Sequence, residues 1–246
     1  MEKKLEIKTR DGFSISGIYY NKEKNQKNLV IFLHGLTGLI DSYLIKRSVD
    51  FFYHKNFDVF VYNKYSDEEI DGVKKRALYE GLTMSRQSQD LQDVFYYFKE
   101  KYDSIYLVGH SNGGLAIVVA NILCSGQALW DPTFNQNVLE EQEFVIRKKD
   151  LPIVNWDGQY YLINDELLKN SKIYTKDKVS ELCSKIEVPT KIIVASKSTK
   201  WNDCYEGKIK NSDFEILEDA NHNFTKLGQV DDVCQKTYEF FMNKCK

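Results

Sequence analysis

The stretch Ser104-Ile105-Tyr106-Leu107-Val108-Gly109-His110-Ser111-Asn112-Gly113-Gly114 carries the strongest structural signal in the chain. Residues 104–108 form a short, apolar, β-branched run of strand length, and Gly113 to Leu123 reads as an apolar helix. A Gly-x-Ser-x-Gly between a buried strand and a helix is a nucleophile elbow. The turn is so tight that the residues two before and two after the serine, Gly109 and Gly113, must be small, and the serine itself takes a strained backbone conformation. The helix beneath it starts with unpaired N–H groups and the positive end of its dipole, where a negative oxygen would be stabilised. Ser111 is therefore the candidate nucleophile and the Asn112 N–H one candidate oxyanion donor.

A second signal lies upstream. Asn28 to Leu33 (NLVIFL) is a continuous apolar strand followed directly by His34-Gly35-Leu36-Thr37-Gly38. An oxyanion hole needs a second backbone donor from a neighbouring loop, which makes the Leu36 N–H the partner of Asn112. Ser111 also needs a general base, because a hydroxyl is a poor nucleophile until a histidine takes its proton. Of the four histidines, His34 belongs to the oxyanion loop. His110 precedes the nucleophile, with its side chain expected on the wrong side of the elbow. His54 falls on an early helix, at the surface. His222, in Asp219-Ala220-Asn221-His222-Asn223-Phe224 between the last strand and the last helix, is the candidate base.

Outward from these motifs the chain alternates strand and helix. Leu5 and Ile7, then Phe13, Ile15 and Ile18, flank a hairpin signal at Arg10-Asp11-Gly12. Asp58 to Tyr62, Lys191 to Ala195 and Asp213 to Leu217 read as further strands. Ile45, Val49, Phe52 and Tyr53 mark one amphipathic helix, Leu91, Val94, Phe95, Phe98 and Tyr102 a second, and Val230, Val233, Tyr238 and Phe241 a last one. Continuous apolar strands alternating with helices predict an α/β fold, a mostly parallel sheet with helices on both faces. Residues 133–187 have mixed charge and no clean strand alternation, and are read as a largely helical insertion. The expected division is a core of 1–132 and 188–246 with 133–187 as lid.

With HGLTG, GHSNGG and a late NHNF in place, the chain resembles the α/β-hydrolase superfamily over nearly its whole length. Within it, the chain is similar to small bacterial esterases of the cinnamoyl and feruloyl type and to serine aminopeptidase-like hydrolases. The resemblance implies an eight-stranded sheet, a lid after the sixth strand and neither metal nor organic cofactor. Ser111, His222, Leu36 and Asn112 match by motif. It also implies a triad acid a few residues beyond the seventh strand, where this chain reads Ser196-Lys197-Ser198-Thr199-Lys200-Trp201-Asn202-Asp203. Asp203 is the first carboxylate there, about four residues late. Asp131, at the end of the sixth strand, is the competitor, and Asp219 is too near His222 in sequence to orient its ring. A second departure is Tyr62-Asn63-Lys64-Tyr65-Ser66-Asp67-Glu68-Glu69, where relatives often carry an Asp-x-x-Gly-x-Gly stretch after the fourth strand.

Composition is consistent with that class. In 246 residues, 42% apolar content is enough for a full core, and 13 glycines with 3 prolines exclude collagen-like or Pro-rich architecture. A formal charge of −2, from 34 basic and 36 acidic residues, supplies no drive toward nucleic acid or an anionic membrane. No apolar run reaches the roughly 20 residues of a membrane span. The charged N-terminal stretch reads as a strand, not a leader. The five cysteines, Cys124, Cys183, Cys204, Cys234 and Cys245, are scattered without a CxxC pair. They predict reduced thiols in a cytoplasm, buried except for one near the terminus. Trp130, Trp156, Tyr160, Tyr161 and Tyr174 either line an acyl pocket or pack on the sheet edge. The expected activity is a serine hydrolase acting on a small carboxylic ester. Thioester or lipid-ester hydrolysis on the same triad, or a non-catalytic ligand-binding protein on the same scaffold, are the alternatives.

Overall fold

A computed structural model describes residues 1–22, 26–36, 38–64, 83–133, 145–148, 151–156, 159–162, 169 and 172–245, with backbone alone at 145–162 and 199–202. The chain opens with a hairpin, β1 (Glu2–Lys8) and β2 (Ser14–Tyr20), turning at Gly12 with φ 85°. There follow β3 (Asn28–Leu33), α1 (Tyr43–His54), β4 (Asp58–Tyr62), α2 (Met84–Lys99), β5 (Ser104–His110), α3 (Asn112–Ala120) and β6 (Gly126–Trp130). Beyond residue 172 come α4 (Lys176–Cys183), β10 (Thr190–Ala195), a 3-10 stretch (Ser196–Cys204), β11 (Ser212–Leu217) and α5 (Gln229–Lys244).

The main sheet has eight strands in the order β1-β2-β4-β3-β5-β6-β10-β11. From β4 to β11 every neighbouring pair is parallel, and β2 runs antiparallel to both β1 and β4. The apolar runs explain themselves in this arrangement. In β3, Leu29, Ile31 and Leu33 face one core, and Val30 and Phe32 face the other. In β5 the same split puts Ile105 and Leu107 on one side and Tyr106 and Val108 on the other. A strand apolar at every position needs cover on both faces. One face is covered by α2, α3 and α4, through residues such as Leu91, Leu115 and Val179. The other is covered by α1 and α5, through Phe52 and Phe241. The alternating pattern and the mostly parallel sheet expected from sequence are both present.

The inserted segment departs from the helical expectation. Its described residues form a second, antiparallel sheet, β7 (Val145–Lys148), β8 (Leu151–Trp156) and β9 (Gln159–Leu162). Lys148 pairs with Leu151 and Trp156 with Gln159, so two residues lie between each pair of strands. Asp157-Gly158 in the second gap is a hairpin signal that outweighs the mixed charge around it. At the far end, Tyr174, Val179, Cys183 and Ile186 are buried in the main core, so α4 packs with the sheet although it precedes residue 188.

The aromatic and cysteine expectations divide. Trp130 is fully buried in β6, donating from Nε1 to Thr237 Oγ1 at 2.9 Å, and Tyr174 is also core. Both pack in the core, while the side chains of Trp156, Tyr160 and Tyr161 lie outside the described residues. All five cysteines are free thiols, but the one near the terminus, Cys245, is buried, and Cys124 is the half-buried one. Burial pushes Cys124, Cys183 and Cys234 up to about 12, which makes them unreactive. Among the described residues no helix is long and apolar enough to cross a membrane.

Candidate active site

Ser111 sits at the carboxyl end of β5, at φ 55° and ψ −120°, as the residue that caps α3. The glycines around it are dictated by space. A Cβ on Gly109 would lie 2.5 Å from the Gly113 carbonyl oxygen, and one on Gly113 would lie 2.4 Å from the Leu33 oxygen. Both distances are far inside van der Waals contact, so the elbow and the end of β3 approach each other only without those side chains. The Ser111 N–H still belongs to the sheet, donating to the Trp130 oxygen at 2.9 Å.

His222 comes from the loop between β11 and α5. Its Nε2 lies 2.9 Å from Ser111 Oγ, and its Nδ1 lies 2.5 Å from Asp131 Oδ2. The loop is anchored by fully buried Phe224, held at φ 52°. Asp131 is the residue after β6. Its carboxylate is 1% exposed and is held on both oxygens, by the Ala195 N–H to Oδ1 at 3.0 Å and by the Ser198 hydroxyl to Oδ2.

Asp203, favoured from sequence as the carboxylate on His222, is not there. Its side chain is 60% exposed and pairs with Lys176. Expecting it to reach His222 assumed a loop insertion after the seventh strand. The segment is instead a 3-10 stretch kinked at Ser198, with Asp203 near its far end. At about 2 Å per residue, five residues carry Asp203 roughly 10 Å beyond Ser198. Asp131, the competitor at the end of the sixth strand, occupies the place, while Asp219 points away to Lys197 and Lys226.

The HGLTG loop lies against the elbow. A Cβ on Gly35 would be 3.4 Å from Ser111 Cβ and 3.7 Å from its Oγ. The backbone N–H groups of Leu36 and Asn112 donate to none of the described residues. Asn112 is almost fully buried, and its side-chain Nδ2 has no partner among them either.

Two groups at the site were not legible from the chain. His110, expected on the wrong side of the elbow, donates from Nε2 to the His222 carbonyl oxygen at 2.7 Å, its ring 4.8 Å from the His222 ring. It braces the loop that carries the candidate base. Lys64, in the stretch that departs from relatives after β4, is 4% exposed. Its Nζ lies 3.0 Å from Asn112 Oδ1 and 3.4 Å from the Gly35 oxygen. Burying an ammonium costs several kcal/mol unless it is well bonded, and among the described residues no carboxylate pairs with Lys64. Spacing carries no sign of either contact. The one hint was that Lys64 stands where a glycine-containing loop is usual.

Burial drives the pKa of both His34 and His110 down to about 3, with Lys64 adding to the effect at His34 and His222 adding to it at His110. Both rings are therefore neutral in the folded protein at neutral pH. Between pH 6.5 and about 3 the unfolded chain binds more protons than the folded one at these two positions, so stability falls as pH drops through that window. Urea midpoints should thus decline clearly from pH 7 to pH 5. A flat midpoint over that interval would contradict the neutral pair.

No protein-family model matches the chain, and no curated protein matches it by sequence. Solved structures do superpose on it. Est1E from Butyrivibrio proteoclasticus, with ferulic acid bound, aligns at a TM-score of 0.78 over 98% of this chain and 98% of its own, with 17% identity. GrgF, an α/β hydrolase from Penicillium sp. sh18, gives 0.79 over 100% and 99%, with 14% identity. The esterase Pf2001 from Pyrococcus furiosus gives 0.69 over 98% and 92%, with 17% identity. The strand order, the elbow at Ser111 and these superpositions agree that the chain has the α/β-hydrolase fold.

Proposed function

We propose that this protein is a serine hydrolase that cleaves a small carboxylic ester. The observation that carries the proposal is the unbroken line from Ser111 Oγ through both nitrogens of His222 to buried Asp131, with steps of 2.9 and 2.5 Å. In that line Asp131 fixes the imidazole tautomer and stabilises the cation that forms on it. Ser111 Oγ attacks the ester carbonyl while His222 Nε2 takes its proton, and the carbonyl oxygen becomes an anion facing the Leu36 and Asn112 N–H groups. The tetrahedral adduct collapses, the C–O bond to the alcohol breaks, and His222 returns the proton to the departing oxygen. Water then attacks the acyl-serine by the same route, releasing the acid and restoring Ser111.

Every group in this cycle belongs to the chain, so the reading calls for no metal or organic cofactor. With Asp131 on His222, the lack of a well-placed carboxylate after β10 no longer argues for a non-catalytic binding protein. Thioesters and lipid esters would be cleaved by the same steps. The part of residues 133–187 that precedes α4 begins two positions after Asp131 in the sequence, an insertion point that suits a cover over the site. The free thiols fit a reducing compartment such as the cytoplasm.

The test is covalent. A fluorophosphonate should react at Ser111 of the native protein and at no other serine, located by peptide mass spectrometry. Labelling should be lost when His222 is changed to Ala. An unlabelled native protein would refute the hydrolase reading. A panel of p-nitrophenyl esters of increasing acyl length, with an ester of ferulic acid among them, then defines the substrate.

A further inference from the structure

Lys64 has no part in the steps above, yet it touches both elements that carry the oxyanion donors. It follows β4, and the strand order β4-β3-β5 places it two strands from the elbow. Its side chain crosses the carboxyl end of β3 to reach the first residue of α3. On the way its Nζ meets the Gly35 carbonyl oxygen at 3.4 Å, and it ends 3.0 Å from Asn112 Oδ1. We propose that Lys64 is a positioning residue of the oxyanion site, fastening the HGLTG loop to the nucleophile elbow so that the Leu36 and Asn112 N–H groups converge on one point. The proposal rests on the serine-hydrolase reading above.

Peptide geometry links the contact to the donor. In a trans peptide the C=O and the following N–H lie on opposite edges of one plane. Holding the Gly35 oxygen therefore fixes the direction of the Leu36 N–H. Among the described residues three donors hold that oxygen: His34 Nδ1 at 2.8 Å, the Gly38 N–H at 3.2 Å, and Lys64. The first two come from within the loop and set its shape, and Lys64 alone of the three ties it to the elbow. At the other end the nitrogen lies on the oxygen of the Asn112 carboxamide, and as an ammonium, which can only donate, it fixes which way that amide is turned. Burial pulls the Lys64 pKa well below the usual lysine range. Both oxygens accept from an amine as they do from an ammonium, so the link holds in either state.

Such a residue affects the transition state far more than the bound ester, because donor placement matters most when the carbonyl oxygen carries charge. The test compares native protein, Lys64→Met and Lys64→Gln, each titrated with fluorophosphonate so that kcat is counted per reactive serine. The probe is an aryl trifluoromethyl ketone. Ser111 Oγ adds to its carbonyl and leaves a hemiketal oxygen in the oxyanion position. Lys64→Met should lower kcat by about 10²-fold, the loss that follows a displacement of about 1 Å at a reacting centre. KM should stay within about threefold, and the ketone inhibition constant should rise by the factor that kcat/KM falls. Lys64→Gln, keeping a donor, should lie between. A purely structural lysine would reduce the fraction of reactive serine and the melting temperature but leave both constants per site unchanged. That result in either folded variant overturns the proposal. Failure of both variants to fold also counts against it, because a link between two loops is dispensable to the two cores. A native protein that labels at Ser111 yet is insensitive to Lys64 sinks this inference alone. One that neither labels nor binds the ketone sinks the hydrolase reading with it.

Discussion

Asp131→Asn should lower kcat on a short-chain p-nitrophenyl ester by about 10⁴-fold, the loss seen when a triad carboxylate becomes an amide. The same change at Asp203 should leave kcat within about twofold. The asymmetry follows from what each carboxylate holds. Asp131 accepts from His222 Nδ1 at 2.5 Å, deep at the end of β6. An amide there offers its NH2 to Nδ1 and favours the wrong tautomer, leaving Nε2 protonated and unable to take the Ser111 proton. The Ala195 N–H and the Ser198 hydroxyl would also lose a charged acceptor. Asp203 gives up a solvent-exposed pair with Lys176, of a kind worth at most about 1 kcal/mol, and a long contact from the Cys204 thiol at 4.0 Å. Parallel steady-state kinetics on the two purified variants decide the matter. Inactivity of the Asp203 variant with a working Asp131 variant would reverse the assignment.

Ser111→Ala should be the most damaging single change, costing about 10⁶-fold in kcat, because the acyl-serine cannot form. The remaining rate above water would come from oxyanion donors and binding. Its fold should persist. The change removes one hydroxyl from a residue whose strained φ of 55° is tolerated equally by alanine, and the Ser111 backbone contacts to Trp130 and α3 are untouched. Circular dichroism and a melting temperature within about 3 °C of the native protein would separate lost chemistry from lost structure. Turnover retained by this variant, after exclusion of contaminating esterase, would remove Ser111 from the mechanism.

The parts of the fold readable from the sequence were those with one dominant local cause. The runs NLVIFL, DVFVY and SIYLV are apolar at consecutive positions, and only a sheet covered on both faces accommodates that. Gly109 and Gly113 are explained by distances at which no Cβ fits. In residues 145–162 the mixed charge hides the strands, and the local signal for antiparallel pairing is the two-residue gap at Asp157-Gly158. The site divides in the same way. Ser111 and His222 lie in motifs with fixed offsets from a strand or a helix, and the structure brings them together. The partner of His222 depended on how the chain leaves β10, a tertiary fact. A 3-10 path carries Asp203 outward, while the register of β5 with β6, His110 opposite Trp130, brings Asp131 beside the nucleophile. His110 and Lys64 were hidden for a related reason, since each acts across space on a residue from another element.

That register has an evolutionary consequence. Ser111 and Asp131 follow two strands joined by the same ladder, so drift in the connecting loops hardly alters their separation. Ala195, the last residue of β10, and Ser198 just beyond it both contact Asp131. With Asp131 in that place no carboxylate is required after Ser198, and what constrains the segment from there on is the burial of Cys204, Tyr205 and Ile209 in the core.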